Sequence, residues 1–345
     1  MGETEAMRPV RVGVLGCASF ARRRMLPAFA AADGVQLTAI ASRDAGKAES
    51  LARRYGCRAV HGYQRLLEDD EVEAVYLPLP AALHAEWAEA ALRAGRHVLV
   101  EKPMTTHRKR TADLMALAGE RGVVLMENMM FVHHSQHAAI RELLADGAIG
   151  ELRVFRAQFT VPRRPDSDIR YRPELAGGAL WDVGVYPVRA AVEFLGPEQS
   201  VVGAVLTHGC GFDVDTSGAA LLTTPAGAAV DLVFGLDHGY ANRYEFCGTD
   251  GRIVADRVFT LPADRPPSVT LERDSGAEQL ALPCDDQVRN AVDAFVRAVR
   301  RGAAPGEQSL RTAGLIDDIR RYARLVGDGR GADARAAAGA GVRRA

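Results

Sequence analysis

The residues best suited to moving a proton are a lysine and a tyrosine far apart in the chain. Lys102 stands in His97-Val98-Leu99-Val100-Glu101-Lys102-Pro103, at the carboxyl end of an apolar run of strand type. Only Lys47, Lys102 and Lys109 of the 43 lysines and arginines are lysine, so a lysine retained where open α/β sheets receive ligands stands out. The following proline allows a cis peptide that would aim the side chain. Tyr186 lies in Gly177-Gly178-Ala179-Leu180-Trp181-Asp182-Val183-Gly184-Val185-Tyr186-Pro187. Asp182 and Tyr186 are four apart and share a face if the segment is helical, and the two glycines would let backbone press close to a ligand. A phenol titrates near pH ~10, too high for ready proton release at neutral pH, but a neighbouring ammonium favours tyrosinate. Lys102 beside Tyr186 would therefore make a working acid. Taken singly, each has a plainer reading, a surface charge and a core tyrosine whose hydroxyl caps a contact.

A second group suits a dinucleotide. Arg11 to Gly16 is a β-rich run, and Gly16-Cys17-Ala18-Ser19-Phe20-Ala21 follows it in the form G-x-G-x-x-G/A, with Ala18 and Ala21 in place of the later glycines. Gly16 permits a tight turn, Ala18 is small enough for close approach, and helix N–H groups near Ser19 to Ala21 would meet a pyrophosphate. The second strand ends Ala41-Ser42-Arg43, where an acid would bind a ribose 2'-hydroxyl and a cation a 2'-phosphate. Arg43 and Ser42 favour NADP(H), although the adjacent Asp44 could serve as the acid. His84 follows another strand end and would touch the nicotinamide ribose or pack at a helix start. His133 and His137 have the i, i+4 spacing of helical metal ligands, but no HExxH-type carboxylate supports them, and no metal is expected.

These groups need a scaffold that brings strand ends together, and the pattern supplies one. From Val10 to Asn128, apolar runs at 11–16, 36–42, 74–77, 97–101 and 123–127 alternate with Ala-, Leu- and Arg-rich helical stretches. That is a parallel, doubly wound α/β domain, placed at residues 8–130. Beyond Gly150, runs at 152–160, 201–208, 218–224, 228–236, 244–248 and 252–256 predict a large open, mostly antiparallel sheet with one face covered by a helix around 180–195. This α+β domain is placed at 131–326, closed by helices at 286–301 and 309–326 that could pack back on the first domain. The tail 327–345 has little to bury and is expected to be disordered. The chain has 345 residues, 48% hydrophobic, with a formal net charge of -1, which excludes a phosphate-reading cationic surface and so a nucleic-acid partner. No run approaches a membrane span or a signal peptide, and five scattered cysteines suit reduced thiols, so a cytoplasmic protein is expected.

A Rossmann turn, then Glu101-Lys102-Pro103, then GGALWDVGVYP resembles the Gfo/Idh/MocA oxidoreductases, over nearly the whole chain. In that family the residues matching Lys102 and Tyr186 handle the proton while a nicotinamide transfers hydride. Many members carry histidine where this chain has Tyr186, so the resemblance points to the tyrosine-bearing subgroup. Within it the chain is most similar to the NDP-sugar 3-ketoreductases of deoxysugar biosynthesis, through GCASFARRRMLPA, YLPLPAALHAEW, ENMMFVHHSQH, SDIRYRPELAGGALWDVGVYPVRAA and ADRVFTLPA. Those enzymes reduce the C3 ketone of a dTDP-linked 3,4-diketo-2,6-dideoxyhexose with NADPH. The resemblance implies that Leu79, Glu101, Arg170 and Asp182 lie near NADP(H), with Lys102 between cofactor and substrate. It also implies that Arg23, Tyr240 and Thr260 lie near the nucleotide-sugar. Either Tyr186 or Lys102 gives the proton. A dehydrogenase of free sugars or trans-dihydrodiols and a non-catalytic NADP-binding regulator are the rival readings. A dimer or tetramer is expected, as in relatives.

Overall fold

The structure, a computed structural model, describes residues 8–209, 211–302 and 306–327, so the expectation for the tail beyond Gly327 and the thiol of Cys210 lie outside the described residues. Two compact units emerge. The first takes in the chain to His137 together with Pro262–Arg265 and Cys284–Leu310, and the second takes in the remainder.

The first unit is built on six strands: β1 (Val10–Leu15), β2 (Val35–Ser42), β3 (Arg58–His61), β4 (Ala74–Leu77), β5 (His97–Glu101) and β6 (Leu125–Asn128). They pair in parallel in the order β3-β2-β1-β4-β5-β6, so the order reverses between β1 and β4, the point where such sheets bind ligands. Successive strand residues serve opposite cores, as the pleat demands. Val12, Val14, Tyr76 and Leu99 pack with Met25, Phe29 and, from the helix Gln287–Arg301, Val292 and Phe295. Leu15, Val75, Leu77 and Val98 pack with Leu66, Leu92 and Leu114 on the other face. Five of these strands carry the apolar runs expected from the sequence. The sixth, β3, is an edge strand whose four residues are exposed or half-exposed and therefore carry no apolar run.

The second unit holds nine strands: β7 (Leu152–Thr160), β8 (Ser200–His208), β9 (Asp215–Thr223), β10 (Ala229–Gly235), β11 (Ala241–Gly248), β12 (Arg252–Asp256), β13 (Ser268–Arg273), β14 (Gly276–Gln279) and β15 (Ala323–Gly327). Their order is β14-β13-β12-β11-β7-β10-β9-β8-β15, antiparallel except for the pairs β7·β10 and β8·β15. The helix Val185–Leu195 covers one face, where Phe194 at its end meets Phe155, Tyr244 and Phe246. The last helix is shorter than its sequence suggested. It ends at Tyr322, and Ala323–Gly327 joins the sheet instead, because hydrogen bonding to the edge of β8 outweighs a modest helical preference. No helix among the described residues is long and apolar enough to cross a membrane.

Candidate active site

Four chain crossings meet at the carboxyl edge of the six-stranded sheet. After β1, Gly16 takes φ +119, a conformation closed to most side chains, and an added Cβ would stand 2.9 Å from Leu79 Cδ2. The chain then enters a helix whose residues Ala21–Met25 form a wide π turn, the kind of local departure that recurs at functional sites. Arg23 is exposed on that turn, with no ion-pair partner among the described residues. Burial raises the Cys17 thiol pKa, against a hydrogen bond with Ser42, so Cys17 presents a neutral thiol at this edge.

At the end of β2, Arg43 and Asp44 stand in different surroundings. Asp44 caps the helix Ala45–Tyr55: its Oδ1 accepts from Lys47 N at 3.1 Å, and its Oδ2 lies 3.3 Å from Lys47 Nζ. A carboxylate spent in this way is a poor ribose ligand. Ser42 is buried; its Oγ accepts from Asp44 N and its hydroxyl faces the Cys17 sulfur. Arg43 is exposed, and no carboxylate of the described residues pairs with it. Gly16, Ser42 and Arg43 thus fit a dinucleotide carrying a 2'-phosphate.

The Glu101-Lys102-Pro103 turn is held at every step. Glu101 Oε1 accepts from Tyr76 Oη and Asn128 Nδ2, both at 2.7 Å, while burial pushes its carboxyl pKa up against those bonds. The Lys102–Pro103 peptide is cis. Met104 N donates to Glu127 Oε1 at 2.7 Å, and Ser309 Oγ donates to the other oxygen of the same carboxylate. His84 is 1% exposed, with Nδ1 2.8 Å from Pro103 O and Nε2 2.8 Å from Leu79 O. Burial lowers its pKa. With both ring nitrogens facing backbone carbonyls, His84 acts on this edge by tying the loop after β4 to the lysine turn. Glu127 and Asn128 were overlooked in the sequence, although an acid and an amide closing an apolar strand are an available signal.

In the second unit, Leu180–Gly184 forms a π turn that leads into the helix Val185–Leu195, so Asp182 and Tyr186 are separated by a wide turn rather than a regular one. Arg170 Nε donates to Asp182 Oδ2 at 2.6 Å and Arg170 Nη1 to Asp168 Oδ1 at 3.0 Å. Burial works against the guanidinium charge, but the two carboxylates more than offset it and its pKa rises. The two glycines serve the protein itself. A Cβ on Gly177 would stand 2.5 Å from Arg170 O, and one on Gly178 (φ +122) would stand 2.5 Å from Asp215 Oδ1. Asp215 accepts from Leu180 N at 2.7 Å and so fixes the entry to the Tyr186 helix; burial raises its pKa against that bond. Nothing in the sequence pattern pointed to Asp215.

Tyr186 is 8% exposed, its ring against Phe159 at 5.0 Å and Phe259 at 5.7 Å. Tyr240 and Thr260, twenty positions apart, lie together with Oη and Oγ1 at 3.1 Å, and Asn242 Nδ2 donates to both, at 3.0 and 2.8 Å. Asn242 is a further unrecognised residue; an amide inside a strand, against β propensity, was its signal.

The helical premise for His133 and His137 fails. Met130–His133 is a 3-10 turn, His134 is extended, and the next helix opens at Gln136, so no regular helix carries both. His134 accepts from Gln136 N through Nδ1 at 3.1 Å.

Two family models match the chain: an oxidoreductase family with an NAD-binding Rossmann fold at residues 10–129, and the C-terminal domain of the same Gfo/Idh/MocA family at 137–254. The chain is 52% identical over 321 residues to the dTDP-3,4-didehydro-2,6-dideoxy-alpha-D-glucose 3-reductase of Actinomadura kijaniata, across 92% of this chain and 97% of that protein. It is 49% identical over 337 residues to the enzyme of the same name from Streptomyces violaceoruber, across 94% and 98%. A crystal structure of KijD10, a 3-ketoreductase from Actinomadura kijaniata in complex with NADP and TDP-benzene, matches with a TM-score of 0.91 and 51% identity, over 93% of this chain and 99% of that one. Matched in both units, and at this identity over almost its whole length, the chain is an oxidoreductase and belongs to the Gfo/Idh/MocA family.

Proposed function

We propose that the protein reduces the C3 ketone of a dTDP-linked keto-deoxysugar with NADPH, the first unit holding the cofactor and the second receiving the sugar. The observation that carries this reading is the 52% identity, nearly end to end, with a reductase of that activity. The local geometry supports it. Arg43 and Ser42 bind the 2'-phosphate, and Gly16, Cys17, Ala18, Ser19, Phe20 and Ala21 form the pyrophosphate turn. Leu79, His84 and Glu101 shape the rest of that edge, and the Arg170–Asp182 pair orients the nicotinamide end. NADPH, when bound, supplies the hydride that reduces C3. Tyr186 gives its proton to the oxygen as it becomes an alkoxide, and the new hydroxyl is complete. The Lys102 ammonium favours the tyrosinate left behind and stabilises charge on the oxygen, an electrostatic contribution commonly worth several kcal/mol. Arg23, Tyr240 and Thr260 hold the nucleotide-sugar.

The reading is tested by following NADPH absorbance with an enzymatically generated dTDP-linked 3-keto sugar against glucose and xylose. The activated sugar is expected to turn over at least ~100-fold faster, since binding energy from the nucleotide serves the reacting carbon. Faster oxidation of free sugars with NADP+ would overturn it in favour of a sugar dehydrogenase, and cofactor binding with no turnover in favour of a regulator. The setting is cytoplasmic: Cys17, Cys57, Cys247 and Cys284 are free thiols, as a reducing compartment keeps them.

The enzyme works as a dimer or tetramer through the sheet face opposite the helix Val185–Leu195. By register, Leu221, Asp231, Arg156, Glu245 and Val254 cross that face in one row, Leu221 exposed and Arg156 within 4.0 Å of both carboxylates. An exposed apolar side chain beside internally neutralised charge suits a partner surface. Leu221→Glu is expected to lower the mass measured by light scattering to that of a smaller species, and a monomeric unaltered protein would refute the assembly.

A further inference from the structure

The turn after β12 carries a residue whose conformation is costly for its type. Arg257 has φ +55, a left-handed backbone that glycine adopts freely and a long side chain does not. Asn242 enforces it. The Arg257 N–H donates to Asn242 O at 2.5 Å, and the Phe259 N–H donates to Asn242 Oδ1 at 2.8 Å. The amide's other end donates to Tyr240 Oη and Thr260 Oγ1, so one side chain, 3% exposed, fixes the whole turn. Such strain persists where the surroundings over-determine it, and it collects at binding sites.

What the strain displays is a cation. The Arg257 guanidinium lies over the Tyr240 ring at 5.7 Å from its centroid, Tyr240 is 47% exposed, and no carboxylate of the described residues pairs with Arg257. Donor counting adds to this. Asn242 Nδ2 fills one acceptor position on each hydroxyl, and one hydroxyl donates to the other across 3.1 Å, which leaves one O–H to donate outward. A guanidinium fork beside a free hydroxyl and an open aromatic face matches a diphosphate joined to a flatter polar body. Phe259, two residues on, packs against the Tyr186 ring, so the same turn links this patch to the proposed proton donor.

From this geometry we infer that Arg257 is a further substrate-binding residue, taking the diphosphate of the nucleotide-sugar. The inference rests on the nucleotide-sugar reading above. Arg257→Gly removes the guanidinium and relieves the backbone, so its melting temperature is expected to hold or rise. Its affinity for dTDP, measured by titration calorimetry, is expected to fall about tenfold, the size of one lost charge-assisted contact. Arg257→Lys is expected to recover part of that loss, and the salt dependence of dTDP binding is expected to be shallower in the glycine variant than in the unaltered protein. Equal dTDP affinity in Arg257→Gly and the unaltered protein would overturn the role of Arg257. Failure of the unaltered protein to bind dTDP would instead overturn the nucleotide-sugar reading beneath it.

Discussion

Lys102→Ala and Tyr186→Phe are each expected to lower kcat by roughly 10²- to 10⁴-fold, the usual worth of a positioned proton donor and its electrostatic support. NADPH binding, followed separately by fluorescence, is expected to change far less. The two variants also separate the roles. If Tyr186 is the donor, Tyr186→Phe removes the transferred proton outright, while Lys102→Ala leaves a phenol that gives its proton up less readily but keeps it to higher pH, so its low activity stays level to a higher pH than that of the unaltered protein. If Lys102 is the donor, Tyr186→Phe raises KM and spares kcat. The double variant is expected to lose about as much as the worse single one, because residues acting on one proton are not additive. Near-normal kcat in both single variants would remove these residues from the chemistry. The neighbourhood makes the substitutions interpretable. Tyr186 keeps its packing against Phe159 and Phe259 as phenylalanine, and the lysine turn is anchored by Glu101, Glu127 and His84 rather than by Lys102 alone.

Arg43→Glu is expected to raise KM for NADPH by about 10- to 100-fold, the equivalent of losing a charge-assisted phosphate contact and facing a like charge. KM for NADH is expected to move little. Asp44→Ala is the control. It removes a helix cap, so it should lower the melting temperature without altering the preference for NADPH. If Arg43→Glu left KM for NADPH unchanged, the 2'-phosphate would be bound elsewhere. A preference for NADPH lost in Asp44→Ala would mean that the cap, by shaping the end of β2, decides the cofactor.

The segments found directly in the sequence are those written in local rules. The apolar runs of β1, β2, β4, β5 and β6 are buried on both faces and so are continuous. The Gly16 turn is set by one glycine conformation, and the Glu101-Lys102-Pro103 and GGALWD segments are short runs of unusual residue types. The strands found only in the structure, β3, β13, β14 and β15, lie at sheet edges or, for β13, next to one. β3 buries too little to carry a pattern, and β15 becomes a strand only because β8 offers it unpaired backbone.

The same division holds for the side chains. Residue type and spacing alone picked out Lys102, Asp182, Tyr186 and the end of β2, because their chemistry is a property of the residue and its nearest neighbours. What His84, Asp215 and Asn242 do was decided by folding: each makes hydrogen bonds to partners chosen by the tertiary path, and only burial makes losing such bonds costly. Arg257 belongs with them, since a left-handed arginine has meaning only once the turn that forces it and the ring beneath it are in place.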